Sequence, residues 1–379
     1  MAVMSYKCPN CGGGLTFDPK KQKLVCVYCL SEFTEEEMKR LEEEEAKKRE
    51  ESEGAGVDAG AESGVGSGAG AAGGNGSDAA GNGSASEGAD PVVYICPSCG
   101  AEIVTDATTA ATFCYYCHNP VVLSGRVSGE FLPDYVLPFA IEKKQAKEMF
   151  VSWIGKKKFV PESFYSKDQI EKLSGVYFPY YLYSCKVDGS IKAEAEKLRT
   201  WVAGNVRYTE HKQYEIERAG SLDVKNLTRN ALSKSNRELV EGVLPYETEK
   251  MQPFQTGYLS GFMAEKRDME CESFNSDAEQ EVKNYTIQNL TSSITGYNSV
   301  NVKNSNLNIR DAKWQYAMLP VWVMTYKHKE DGKMYYFAMN GQTGKICGKL
   351  PVDKGKLLKL FAGIFVPVFA FLMIGGWFL

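Results

Sequence analysis

Apolar positions change their spacing several times along this chain, and each change predicts an element. Residues 141–154 place Ala146, Met149, Phe150, Trp153 and Ile154 at helical spacing and stop at Gly155, a helix-end signal. Ser166 with Gln169, and Ser276 with Glu279, read as capping boxes. They predict a short helix ending near Gly175 and a longer one reaching about Thr295. Residues 176–187 and 190–201 flank Asp188 and Gly189 and predict a β-hairpin. Residues 317–327 and 333–339 flank Asp331 and Gly332 and predict a second. The hairpins share a pattern: Pro179, Tyr181 and Lys186 in one, Pro320, Trp322 and Lys327 in the other. A degenerate internal repeat is expected, with each proline at a strand start or edge. Residues 207–217, around His211, alternate as a polar-faced strand. Together, residues 130–352 are expected to form an α+β domain with antiparallel hairpins.

The pattern is extreme in three places. Residues 360–379 carry no charge, and a helix of that length covers about 30 Å, the thickness of a bilayer core. Lys354, Lys356 and Lys359 precede it, so residues 357–379 are expected to be a tail anchor, single-pass, with the N-terminal domains cytoplasmic. Trp377 falls at the far interface, and Pro367 is tolerated within a membrane helix. Residues 35–53 are densely charged and open with Thr34 and Glu37, a capping box; a solvated helix is expected, with Met38, Leu41 and Ala46 too few for a coiled-coil seam. Residues 54–90 are almost wholly Gly, Ala, Ser, Asn and Asp. Such a segment cannot offset the entropy of ordering, and as a flexible coil it would span about 30–36 Å.

The cysteines add chemistry to this outline. Of eleven, eight form two sets with the same spacing: Cys8, Cys11, Cys26 and Cys29, then Cys96, Cys99, Cys114 and Cys117. Two C-x₂-C pairs per set supply the four thiolates of a tetrahedral structural Zn²⁺. Zinc ribbons are therefore expected at residues 1–34 and 91–127, with two structural zinc ions. Each metal would contribute about 10–16 kcal/mol of folding free energy, which modules this small require. Gly12 and Gly100 follow the first pair of each set and let the backbone turn toward the thiolates. His118 directly follows Cys117 and reads as a neighbour, since four thiolates complete the shell. Metal-bound, reduced cysteines fit a reducing compartment, and the segment before Cys8 has no signal-peptide core. Cys185, Cys271 and Cys347 are scattered and read as small buried hydrophobes.

Net charge is −4, without a basic excess. The first ribbon sets Lys7, Lys20, Lys21 and Lys23 against Asp18 and Glu32; residues 92–125 contain no Lys or Arg. Gripping phosphates needs cations, so nucleic acid is an unfavoured partner. A closed Cys₄ shell leaves no site for substrate. No nucleophile elbow, phosphate loop or HExxH is found, so no catalytic residue is assigned and a non-enzyme is expected. Residues 340–344, Asn-Gly-Gln-Thr-Gly, read as a plain turn, and Tyr177, Tyr180, Tyr181 and Tyr183 as core.

The ribbons' CPNCG, CVYC, CPSCG and CYYC motifs, residues 176–183 and 317–326, residues 339–345 and the apolar tail together resemble the bacterial TFIIB-type zinc-ribbon-containing membrane proteins. The resemblance implies anchors working beside phage-shock-A-like and flotillin-like proteins in envelope stress. The leading expectation is a membrane-tethered zinc-ribbon adaptor that recruits cytosolic proteins, with the first ribbon hanging free on its linker as the recruiting head. The alternatives are a nucleic-acid-binding ribbon protein and a redox or zinc sensor.

Overall fold

In the computed structural model, residues 4–54, 92–114, 117–235, 237–328 and 332–377 are described. Most of the glycine-rich segment expected at 54–90 lies outside the described residues, as does Asp331 of the second predicted turn. The first ribbon is a three-stranded antiparallel sheet of β1 (Leu15–Asp18), β2 (Lys23–Cys26) and β3 (Glu32–Phe33). It runs into α1 (Glu35–Gly54) through the expected capping box: the Thr34 N–H donates to Glu37, and the Glu37 N–H to the Thr34 hydroxyl. The first turns of α1 are less solvated than expected, because Met38 is buried and Leu41 packs on the core.

The second ribbon begins with a separate hairpin, β4 (Val92–Ile95) and β5 (Glu102–Thr105). Its next strands, β6 (Thr109–Phe113) and β7 (Pro120–Val122), belong to the large sheet of the α+β unit. The other strands of that sheet are β8 (Tyr135–Val136), β9 (Ser174–Ala203), β10 (Val206–Asn230), β11 (Gln252–Pro253), β12 (Met263–Glu265), β13 (Ser299–Lys327), β14 (Met334–Asn340) and β15 (Ile346–Gly348). The pairs β12–β9 and β13–β8 are parallel, and the other pairs antiparallel.

At the core, β9 and β13 are buried on both faces, which explains the near-continuous apolar run around Tyr177 to Tyr183. Tyr177 and Tyr181 belong to the same core cluster as Phe150 and Ile154 of α2 (Lys143–Gly155) and as Phe164. Tyr180 and Leu182 face Leu239, Val240 and Val243, on and just after the short α4 (Arg237–Gly242), which follows the one-turn α3 (Lys167–Glu171). Phe139 is the hub: it stacks on Phe262 at 4.2 Å, meets Tyr177 edge-on, and lies against Trp322. Both predicted strand-start prolines lie instead mid-strand, Pro179 opposite Met318 and Pro320 opposite Tyr177. Their carbonyls still accept, Pro179 from the Ala231 N–H (2.9 Å) and Pro320 from the Gly341 N–H (2.8 Å).

The first predicted hairpin is also corrected. The chain does not turn at Asp188 and Gly189; β9 continues for 30 residues, and the turn comes at Gly204, with φ +61°. Gly189 has another use. A Cβ there would lie 2.7 Å from Leu307 and 3.1 Å from Thr286, so glycine lets α5 (Asn275–Ser292) approach the sheet. That helix starts at Asn275, after Phe274, and not through a Ser276–Glu279 box; the Trp314 indole N–H donates to the Asn275 side chain at 2.8 Å. Beyond the core, β9, β10 and β13 form a three-stranded arm covered on one face by α5. Val187, Ile191, Ala193 and Ile216 lie under Ala278, Val282, Ile287 and Leu290. Two bulges lie opposite Ser184 and Cys185, one on each side, with Asn226 (φ +55°) in β10 and Asp311 (φ +54°) in β13. The second predicted hairpin is present as β13 and β14, with β13 extended backwards through the arm. Residues 340–344 form the expected turn: the Asn340 side chain accepts the N–H groups of Gln342 and Thr343 at 2.9 Å.

The last element is α6 (Lys354–Trp377), which contains Pro367. Its residues Lys354–Met373 are long and apolar enough to cross a membrane, and none of its apolar window is buried in the rest of the molecule. Its foot is fixed: the Asp353 N–H donates to Phe159 (2.8 Å) and the Lys356 ammonium to the carbonyl of Val160 (3.0 Å).

Candidate metal centres

Four tight turns build the two centres, and all four repeat one hydrogen-bond pattern. The carbonyl of the first cysteine accepts the N–H four residues on, and its own N–H donates to the carbonyl five residues on. Cys8 uses Gly12 and Gly13, Cys26 uses Leu30 and Ser31, Cys96 uses Gly100 and Ala101, and Cys114 uses His118 and Asn119, at 2.7–3.1 Å. The pattern requires a left-handed residue four positions after the first cysteine: Gly12 (+71°), Leu30 (+60°), Gly100 (+76°) and His118 (+56°). His118 is therefore a turn residue and not part of the four-sulfur group. Sequence reasoning identified the two glycines and missed Leu30. The signal was available, because Leu30 stands at the same offset from Cys26 as Gly12 from Cys8.

All eight predicted ligands meet as two groups. Within each, the sulfurs of Cys8, Cys11, Cys26 and Cys29, or of Cys96, Cys99, Cys114 and Cys117, lie within 4.8 Å of one another. Two edges of the first group are 3.5 Å for Cys8–Cys29 and 3.4 Å for Cys11–Cys26; in the second group Cys96–Cys117 and Cys99–Cys114 are both 3.7 Å. A tetrahedron with metal–sulfur bonds of ~2.3 Å has edges of about 3.8 Å. Each group could thus hold one tetrahedral metal ion with only slight relaxation.

Four thiols this close oppose each other's ionisation. Hydrogen bonds from the Ser31 hydroxyl, 3.2 Å from the sulfur, and from the Ser31 N–H pull Cys29 down to about 6. At Cys11 the Gly13 N–H favours the thiolate, but the neighbouring sulfurs of Cys29 and Cys26 outweigh it and push the thiol up to about 12. Burial and sulfur neighbours push Cys117 up to about 12 against the Asn119 N–H. A bound cation removes this conflict by holding every ligand as thiolate.

The first ribbon does not hang free. The Phe17 N–H donates to the Ser260 carbonyl at 2.9 Å, and the Ser260 hydroxyl donates back to the Leu15 carbonyl at 2.6 Å. The Tyr6 and Thr256 hydroxyls hydrogen-bond, Gln22 donates to the Phe139 carbonyl (2.8 Å), and Phe17 meets Tyr258 edge-on at 5.1 Å. Met4 pairs with Val122, joining the two ribbons. Leu15, Phe17, Leu24 and Cys26 are continuous with the domain core, so apolar burial seats the module. Outside this seat, Val27, Tyr28 and Leu30 of the first ribbon, and Val93, Ile95 and Val104 of the second, are exposed.

Cys185 is buried, as expected; Cys271 and Cys347 are partly buried, and none of the three joins a metal-binding group among the described residues. No family model matches the chain, and no solved structure matches it. It is 32% identical over 262 residues to the uncharacterized protein YdjG of Bacillus subtilis (strain 168), a span covering 68% of this chain and 76% of that protein. With the match running through more than three quarters of the relative, the chain belongs to the family of YdjG.

Proposed function

We propose that this protein is a non-enzymatic adaptor, anchored in a membrane by α6, whose two structural zinc ions hold protein-binding ribbons at the cytoplasmic face. The observation that carries the reading is the exposed apolar surface on both ribbons. Val27, Tyr28 and Leu30 surround the second turn of one metal group, with Tyr28 73% exposed. Val93 and Val104 are a cross-strand pair, with Ile95 beside them on the same face of the β4–β5 hairpin. None of these side chains closes a metal shell or fills the core, and clustered exposed apolar groups are what partner surfaces use. The four-sulfur shells support zinc in a structural role, since they leave no coordination position for a substrate. Lys354, Lys356 and Lys359 at the foot of α6 support a cytoplasmic orientation. The partners this reading favours are cytosolic proteins of the phage-shock-A-like or flotillin-like kind, acting in envelope stress.

The test is proximity labelling in the native cell with full-length protein. Wild type is compared with Tyr28→Glu/Leu30→Glu and with Val93→Glu/Val104→Glu. The expected result is loss of a defined set of cytosolic neighbours, with two zinc ions per chain and membrane fractionation retained. An unchanged neighbour set in both variants overturns the adaptor reading.

A further inference from the structure

The far end of the arm carries apolar surface that the fold does not use. The pairing of β13 with β9 begins at Ser299 and Glu196, so beyond Glu196 only β9 and β10 continue, as a two-stranded tip. Such a ribbon is marginal by itself in water. In this one Leu198, Trp201, Val202, Val206 and Tyr208 are all exposed, Val202 by 65%. Trp201 and Tyr208 are cross-strand partners with stacked rings 5.6 Å apart, and the Arg199 guanidinium lies 5.8 Å from the Trp201 ring centre.

Three features specify the occupant. The register puts Trp201, Tyr208, Ala203 and Val206 on one face of the ribbon and Leu198 and Val202 on the other. A surface apolar on both faces needs surroundings that envelop it, not a flat partner. The ribbon beyond Glu196, residues 197–212, carries Lys197, Arg199, Arg207 and Lys212 against Glu210, which faces Arg199, a local basic excess in a chain whose net charge is −4. Trp and Tyr stacked behind aliphatic residues, with Arg207 opposite Val202 and Arg199 behind the rings, is a composition that settles at a bilayer interface.

We propose that this tip inserts into the interface of an anionic lipid bilayer, a second membrane contact besides α6. The proposal rests on the reading of α6 as a membrane anchor. At 30 residues and ~3.3 Å per residue, β9 is up to about 100 Å long and carries the tip away from the core. The tip adds aromatic and aliphatic insertion to the attraction of its basic excess for anionic headgroups, each cation strengthening binding about fivefold.

The experiment uses the full-length protein reconstituted in vesicles, with the tryptophan emission of wild type minus that of Trp201→Phe isolating the tip. In phosphatidylglycerol vesicles brominated near the headgroup, the Trp201 component is expected to be blue-shifted and quenched. In phosphatidylcholine vesicles it is expected to be neither. Arg199→Glu/Arg207→Glu is expected to weaken the anionic-lipid dependence about twenty-five-fold or more. A Trp201 component unaffected by bromolipid in anionic vesicles overturns the proposal. So does one shielded from aqueous iodide but untouched by bromolipid, which would mean that tips bind each other. Flotation after an alkaline wash reads α6 separately: wild type that floats while Trp201 stays unquenched sinks the tip alone. Protein that fails to float sinks the anchor, and the same quenching with added vesicles then still decides the tip.

Discussion

Replacing Cys8 and Cys26, the two buried cysteines of the first four-sulfur group, by serine is expected to loosen a part of the α+β unit more than two hundred residues away in sequence. On the proposed zinc reading, loss of the metal would remove about 10–16 kcal/mol that such a module has in place of a large core. What then opens is the seat: Tyr6, Leu15, Phe17, Leu24 and Met38 are buried, and each such side chain is worth about 1.5–3 kcal/mol, on the order of 10 kcal/mol together. The segment beneath, residues 254–260, loses the Phe17 N–H bond to Ser260, the Tyr6 bond to Thr256 and the ring contact with Tyr258. Hydrogen exchange of 254–260 is expected to accelerate at least 100-fold, about 3 kcal/mol of local opening free energy. The matching replacement of Cys96 and Cys114 strips a separate small cluster containing Tyr94, Ile103, Val121 and Leu123, and should leave 254–260 protected. Wild-type exchange of 254–260 in a first-ribbon variant that has lost its metal would refute the docking argument.

Leu30→Gly and His118→Gly should each raise resistance to chelator-driven unfolding, by up to about 1 kcal/mol, because glycine relieves a left-handed conformation that costs other residues ~1–2 kcal/mol; urea titration in the presence of chelator checks it. Gly341→Ala should destabilise the α+β unit by about 1–3 kcal/mol, since its Cβ would lie 2.6 Å from the wedged Phe139 ring and 2.8 Å from Pro320, and the urea midpoint reads this directly. Ser31→Ala removes the hydroxyl that holds the Cys29 thiol low. The thiol then rises, protons displace the metal at higher pH, and the acid midpoint of metal release from the first ribbon moves up while the second stays put. A colorimetric zinc chelator follows both steps, and coincident shifts at the two sites would contradict the assignment.

The two four-sulfur groups were legible because their information is local: four turns of Cys-x-x-Cys, each folding on its own backbone. The helix at Ala146, Phe150 and Ile154 was legible for the same reason, through its own period. The arm was not, because Asp188 followed by Gly189 has the composition of a hairpin turn. Only the proximity of Leu307 and Thr286 reveals that the glycine makes room for a helix a hundred residues later. The seat of the first ribbon was hidden by distance as well. A glycine-rich segment between two modules reads as freedom, and the apolar alternation of Leu15, Phe17 and Leu24 looked like the interior of a self-sufficient ribbon. Pro179 and Pro320 misled through a rule about missing donors; here their carbonyls are satisfied and central pairing survives.

The unbroken course of β9 has a mechanical consequence. A pull on the tip along the arm's axis loads β9 in shear against β10 on one side and β13 on the other, so many rungs of the ladder resist together instead of opening one after another. The paired bulges at Asn226 and Asp311 interrupt that ladder at one level on both flanks, and they mark where the arm would yield first under tension. Outboard of that level α5 clamps the three strands. Strain applied at the far end would therefore be delivered, nearly undiminished, to the junction beside Ser184 and Cys185.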